Sequence, residues 1–319
     1  MLPLSQYRHS ATAVACLNLA VTTMLSAMSD APWWTAWLCW AVSLGLAAGI
    51  DNIIGRYALV QRRGATTVVV IWTILTATLN YVAHYLPQQT TPLWFSLTDA
   101  VVTLLIIGIV MGTWQRTFAP VEMLATGALL GTMSVYMPDM LYRLLLVPIA
   151  LYQMRSLSLR NVAATLTGTA LAVWTAYCLT FALAGEASAD AIIGHYASIS
   201  DFSPSALPSM GLQMWAFVGL YLLLMAVYSF TSFIAGAGNT LRSHSAIILV
   251  ATLGIIMAVF AVFDIDDLSL YLVLLSELLA LQIALHKTER PSQVAEWWTV
   301  SFIATLLAMD VLPIAFKFI

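Results

Sequence analysis

Apolar stretches of about 20 residues recur along the whole chain, each bounded by proline, glycine, charged or amide residues. A helix of about 20 residues spans the roughly 30 Å hydrocarbon core of a bilayer and satisfies its own backbone hydrogen bonds there. The composition agrees, because 61% of the residues are apolar and 8% are charged, against about 25% charged in soluble domains. We therefore predict a single membrane domain over 1–319, an all-α polytopic helix bundle.

The apolar runs predict about 11 transmembrane helices, of which nine are firm. The other two, 120–137 and 140–154, are short, and they either cross twice or form a re-entrant pair. In both cases the chain goes across and comes back. The predicted spans are 10–28, 32–54, 65–86, 92–113, 120–137, 140–154, 161–184, 211–235, 244–263, 268–286 and 295–317.

Basic residues predict the orientation, because cytoplasmic loops collect lysine and arginine. With the N-terminus inside and the C-terminus outside (N-in, C-out), only Arg143 and Lys317 lie on the outer side. Ten of the chain's 12 basic residues then lie on the inner side: Arg8, Arg56, Arg62, Arg63, Arg116, Arg155, Arg160, Arg242, Lys287 and Arg290. A cleaved signal peptide at 1–28 is an alternative for the first span, and its loss would not change the later topology.

The longest loop, 185–210, lies on the outer side in this topology. Ile192, Ile193, Tyr196 and Ile199 follow one another at helical spacing there. We expect an interfacial helix in this loop.

A polar stripe on the third span supplies the first candidate site. Asn80 and His84 follow Thr73 and Thr76 at spacings of three and four residues, which place all four on one helical face. On the fourth span, Asp99 lies as far from the connecting outer turn as Asn80 does, about 10 Å along the helix. We expect antiparallel neighbours that bring Asn80, His84 and Asp99 together as an ion or substrate site. The alternative is that these groups only satisfy one another and hold two helices together.

Two acidic residues in later spans are further candidates for an ion or substrate pathway. Glu277 is ten residues from both Asp267 and Lys287, which places it near the bilayer centre. Asp310 precedes Pro313, a residue that kinks helices. A charged group at such depth costs at least about 2.5 kcal/mol on insertion scales, so each residue is a functional candidate. The alternatives are a protonated structural acid and a packing kink.

Other charged and small residues have simpler interpretations. The outer turn of Asp264, Asp266 and Asp267 is a weak candidate for a divalent cation and otherwise a solvated turn. We expect local salt bridges for Asp139 with Arg143 and for Asp51 with Arg56. A phosphate-bearing ligand would find its cations on the inner side, at Arg56, Arg62 and Arg63, although these also serve as orientation signals. The motifs GLAAG (45–49), GIVMG (108–112) and GALLG (127–131) predict close helix packing, most simply within one chain.

The sequence lacks the motifs of metalloproteases, serine hydrolases and ATPases. It has no HExxH, zinc-ligand spacing, GxSxG elbow or nucleotide-binding loop, so we expect no metal site beyond the weak acidic turn and no cofactor. The absence of a basic tract argues against nucleic-acid binding. The three cysteines lie in apolar runs and do not form a disulfide framework.

The stretch PDMLYRLLLVPIALYQMRSLSLRNVAATLTG, residues 138–168, resembles the central segment of uncharacterised multi-spanning inner-membrane proteins of Bacteroidetes. In that family an apolar span ends in an Arg-Ser-Leu run and the next span opens after an asparagine. The resemblance implies a multi-pass protein of the bacterial cell inner membrane and assigns no catalytic residue.

These features favour a protein that translocates a small or lipid-linked solute past Asn80, His84, Asp99, Glu277 and Asp310. One alternative is a non-catalytic subunit or assembly factor of an envelope complex. Another is an intramembrane enzyme acting on lipid or lipid-linked glycan, with Asp99 and His84 as an acid-base pair. The expected partners are the lipid bilayer and envelope proteins.

Overall fold

A computed structural model describes residues 33–57, 65–85, 92–197, 241–263 and 268–285, with short pieces at 20, 22–24, 219–224, 226–227 and 230. These residues form helices and turns and contain no strand, which confirms the all-helical prediction for the described part of the chain. The α-helices are α1 (Trp33–Arg56), α2 (Ala65–Tyr85), α3 (Leu93–Gly112), α4 (Pro120–Tyr136), α5 (Leu146–Gln153), α6 (Leu159–Ala184), α7 (Glu186–Ala197), α8 (Leu241–Phe263) and α9 (Leu268–Leu285).

Within these ranges, four helices are long and apolar enough to span a membrane: Trp34–Arg56, Leu93–Gly112, Leu159–Ala184 and Leu241–Ala261. Three shorter apolar helices lie at Val70–Ala83, Met140–Gln153 and Leu270–Leu285. The predicted spans between 32 and 286 match the observed helices closely, apart from 140–154 and from 211–235, of which only a few residues are described. The spans 10–28 and 295–317 lie largely or wholly outside the described residues.

The chain divides into two compact units, and the first comprises residues 1–104 and 206–319. In this unit α2 packs against α1 and α9, and α9 also packs against α8 and α1. Residues 71–83 of α2 and 272–285 of α9 are buried on every side. A helix that is apolar all round belongs in the interior, so α2 and α9 form the centre of this unit.

Three contacts align α1 with α2. The Ser43 and Thr76 hydroxyls lie 2.6 Å apart, and the Cys39 thiol donates to the carbonyl oxygen of Leu79 at 3.7 Å. The rings of Trp40 and Trp72 meet edge to face at 5.3 Å. Since the earlier residue of α1, Cys39, meets the later residue of α2, the two helices run antiparallel.

The second unit, residues 105–205, is built on a close crossing of α4 and α6. A Cβ added at Gly127 would lie 1.9 Å from the Thr165 carbonyl oxygen, and one at Gly168 would lie 2.2 Å from that of Leu124. The Thr169 hydroxyl donates to the carbonyl oxygen of Gly127 at 3.0 Å. The GALLG motif therefore does pack two helices of one chain, as its small residues predict.

The chain returns from the end of α4 to its start through Pro138–Leu145, a 3₁₀ helix, and α5. The return is complete at Met154, whose carbonyl oxygen accepts from the Gln115 backbone N–H at 3.0 Å. The predicted short helix at 140–154 is thus half 3₁₀, with α5 beginning only at Leu146. Pro148 explains this, because its missing N–H is harmless only in the first turn of an α-helix.

Asn161 forms hydrogen bonds to the loop before α4 and to the loop before α6. Its side-chain oxygen accepts from the Ala119 N–H at 3.0 Å, and its side-chain nitrogen donates to the Ser156 carbonyl at 2.8 Å. The Ser158 hydroxyl caps α6 by accepting from the Asn161 backbone N–H. The buried asparagine therefore fixes where both α4 and α6 begin.

Helix α7 follows α6 after Gly185, whose φ of +89° breaks the helix. The Tyr196 hydroxyl lies 3.0 Å from that of Ser134 on α4, and burial raises the pKa of Tyr196. Tyr177 of α6 donates to Asp190 at 3.4 Å. The helix expected in the loop 185–210 is confirmed over Glu186–Ala197, and its interfacial position stays a prediction.

Candidate functional site

Asn80 is the clearest polar anomaly of the first unit. It lies in α2, one turn beyond Thr76, and its side chain is 1% exposed. Neither the amide oxygen nor the amide nitrogen has a hydrogen-bond partner in the structure. Burying an amide without a partner costs about 1–3 kcal/mol on the evidence of protein mutations. An unused donor and an unused acceptor at one buried position are what a ligand or an enclosed water would satisfy.

Asp99 lies in α3 and is fully buried. Ser96, three residues earlier and therefore on the same helical face, is also buried, and its hydroxyl has no hydrogen-bond partner in the structure. Because the Asn80 side chain makes no hydrogen bond, it does not satisfy Asp99.

The expected pairing of α2 with α3 is also corrected. Among the described residues, α2 packs along α1 and α9 and not along α3. Residues 71–83 of α2 are buried, and α1 and α9 are the helices that pack along it among the described residues. Asn80 and Asp99 are thus buried groups on helices that do not pack side by side.

Helix α9 contributes two buried polar residues. Glu277 is fully buried. Gln282 is fully buried as well, and neither its side-chain oxygen nor its nitrogen has a hydrogen-bond partner in the structure. Sequence reasoning passed over Gln282, although an amide inside an apolar run was a usable signal.

The remaining candidates are only partly described. His84 belongs to α2, and its side chain lies outside the described residues. Asp310 and the acidic turn of Asp264, Asp266 and Asp267 also lie outside them, as does the side chain of Asp139 in its expected pair with Arg143. No group of three or more metal-ligating side chains is found in the part of the chain that is described.

The buried charged groups of the first unit are acidic among its described residues. The fully buried ionisable side chains among its described residues are the carboxyl groups of Asp99 and Glu277, the thiol of Cys39 and the phenol of Tyr221. No lysine, arginine or histidine is buried among the described residues. Such an interior suits a proton, a cation or a neutral hydrogen-bonding solute, and it would repel a phosphate.

At the helix ends, the expected Asp51–Arg56 salt bridge is not formed. Residues five apart point about 140° away from each other around a helix, so the pair does not share a face. The guanidinium of Arg56 instead lies over the Tyr57 ring, 5.9 Å from its centre. In the second unit, Arg116 and Glu122 form an exposed ion pair at 3.3 Å that the sequence analysis did not anticipate.

No protein-family model, curated protein or solved structure matches this chain. The candidate site therefore depends on its own geometry and chemistry.

Proposed function

We propose that the protein is a multi-pass membrane protein that translocates a small or lipid-linked solute through a polar site in the first unit. The site consists of the buried polar side chains of α2, α3 and α9. Its residues are Asn80, Ser96, Asp99, Glu277 and Gln282, with His84 and Asp310 as further candidates from the sequence.

The observation that carries the proposal is the buried amide of Asn80, with both its oxygen and its nitrogen lacking a partner. A purely structural asparagine would find a partner on the helices that cover it, as Asn161 does in the second unit. Gln282 repeats the same feature on the neighbouring central helix. Two unsatisfied amides on two packed helices favour a hydrated or ligand-binding interior.

The proposed topology also places a carboxyl group at the same depth as a buried hydroxyl pair. In that topology Tyr85 of α2 and Leu268 of α9 lie on the outer side of the membrane. Thr76 and Glu277 are each nine residues from those helix ends, at a depth of about 13.5 Å. Glu277 then lies level with the Ser43–Thr76 pair, near the middle of the membrane. A proton or a cation is the species such a layer would bind.

The full proposed arrangement is that of about 11 transmembrane helices, N-in and C-out, in a bacterial inner membrane. The segregation of basic residues supports the orientation. The resemblance of residues 138–168 to bacterial inner-membrane proteins supports the location. The return of the chain from the end of α4 to its start supports a down-and-back path for 120–154.

A flux assay tests the function. The full chain is reconstituted into liposomes that enclose a pH-sensitive dye, and proton entry is followed under a potassium diffusion potential. We expect proton entry above that of protein-free vesicles, and at least a tenfold loss in Glu277→Gln. Glu122→Gln is the matched control, because it makes the same chemical change at an exposed carboxylate. Equal rates in the wild type, Glu277→Gln and protein-free vesicles would contradict a proton- or cation-coupled site.

A further inference from the structure

Two arginines from different helices meet at one aromatic ring in the first unit. Arg56 ends α1, and its guanidinium carbon lies 5.9 Å from the centre of the Tyr57 ring. Arg242, the second residue of α8, places its guanidinium carbon 4.7 Å from the same centre. The two guanidinium carbons are consequently no more than about 11 Å apart. Residues 56 and 242 are far apart in sequence, so only the fold brings these charges together.

Arg56 is available to bind a further group. Its side chain is exposed and makes no ion pair with any residue in the described part of the chain. Its cation–π contact with the Tyr57 ring uses none of its N–H donors. Asp51 is the acidic residue nearest in sequence, and it points to another side of α1. A guanidinium with unused N–H donors can bind an anion through paired hydrogen bonds.

The position of the cluster formed by Arg56, Tyr57 and Arg242 favours a lipid headgroup as the anion. Arg56 and Arg242 lie at the ends of two helices that are long and apolar enough to span a membrane. Such ends lie at the level of the lipid headgroups. Leu241, adjacent to Arg242, is 60% exposed and offers an apolar surface at the same place.

We propose that Arg56, Tyr57 and Arg242 bind the phosphate of an anionic phospholipid in the cytoplasmic leaflet, an inference that rests on the membrane placement proposed above. Arginine guanidinium groups bind phosphate through paired, charge-assisted hydrogen bonds. The interior of the unit holds buried acids and no buried base among the described residues. The phosphate is therefore held at the surface and does not enter the core.

Lipid binding to the detergent-purified full chain tests the proposal by native mass spectrometry. Phosphatidylglycerol and phosphatidylcholine are titrated separately, and inorganic phosphate is added as a competitor. We expect wild-type protein to prefer phosphatidylglycerol at least tenfold. The double variant Arg56→Gln/Arg242→Gln should lose that preference. Arg160→Gln is the matched control, because the Arg160 guanidinium also lies over an aromatic ring, 5.9 Å from the centre of Phe118, and no second guanidinium is described over that ring.

The single variant Arg56→Gln keeps the test decisive if the double variant does not fold, since an exposed unpaired side chain contributes little to folding. It should bind phosphatidylglycerol at least threefold more weakly than the wild type. Unchanged binding in that variant, or equal binding of the two lipids by the wild type, would overturn the proposal. Full displacement by millimolar inorganic phosphate would also overturn it, by assigning the site to a soluble anion. None of these readouts depends on transport, so failure of the proposed function leaves them unchanged.

Discussion

The hydroxyl groups of Ser43 and Thr76 lie 2.6 Å apart in the buried contact between α1 and α2. Each hydroxyl also lies within hydrogen-bond distance of a carbonyl oxygen on its own helix, Ser43 at 2.8 Å from Trp40 and Thr76 at 2.9 Å from Trp72, so both hydroxyls have partners. Asn80 is one helical turn away on the same face and uses neither side-chain atom. On the polar stripe of α2, the Thr76 side chain is therefore satisfied by hydrogen bonds and the Asn80 side chain is not.

The contact between the Ser43 and Thr76 hydroxyls is tested by a double-mutant cycle with Ser43→Ala and Thr76→Val. A buried hydroxyl pair between helices should give a coupling free energy of about 1 kcal/mol. The quantity is measured from unfolding in detergent. Ser43→Ala combined with Thr132→Ala, whose exposed hydroxyl bonds only within α4, should be additive. Additivity of Ser43→Ala with Thr76→Val would show that the contact has no energetic effect.

The crossing of α4 and α6 should tolerate no side chain at Gly127. Gly127→Ala would put a methyl group 1.9 Å from the backbone oxygen of Thr165, so the helices must separate. We expect a loss of about 1–3 kcal/mol, seen as a lower melting temperature of the purified protein. Gly194→Ala is the control, since no atom lies within 4 Å of its added methyl group. Equal melting temperatures for the two variants would contradict the close crossing.

Asn161 should matter for stability through its buried side-chain hydrogen bonds. Asn161→Ala leaves the Ala119 N–H and the Ser156 carbonyl without their partner, which costs about 1–3 kcal/mol for each buried group. Thermal unfolding measures the loss. Thr167→Ala, on the exposed side of the same helix, should change the melting temperature little. A harmless Asn161→Ala would mean that the loops 113–119 and 154–158 are fixed by other contacts.

Helix positions were predictable from the sequence because they depend on runs of apolar residues. The predicted spans 65–86 and 92–113 correspond to Ala65–Tyr85 and Leu93–Gly112. The 3₁₀ segment was not predicted, because the effect of Pro148 on the preceding turn depends on where the helix begins. Lateral packing was not predictable either, since nearly every face of α2 is apolar enough to be buried.

The candidate site was predictable in part, because its residues interrupt runs of apolar residues. Burial of Asn80, Asp99 and Glu277 follows from their positions inside apolar runs. Which of them share a helix interface depends on the choice of neighbours, and the assumed neighbour of α2 was wrong. The convergence of Arg56 and Arg242 on Tyr57 depends on the approach of two helix ends that are far apart in sequence, which no local pattern encodes.

Water access to position 80 tests the central claim, that the polar interior of α2 serves a ligand. In a background without the native cysteines, Asn80→Cys is treated in membranes with a small hydrophilic thiol reagent. The control is Val82→Cys, which is buried too and lies about 3 Å away along the helix and 200° around it. The account predicts labelling at position 80 and none at 82. Protection of both positions would contradict it and make Asn80 a purely structural residue.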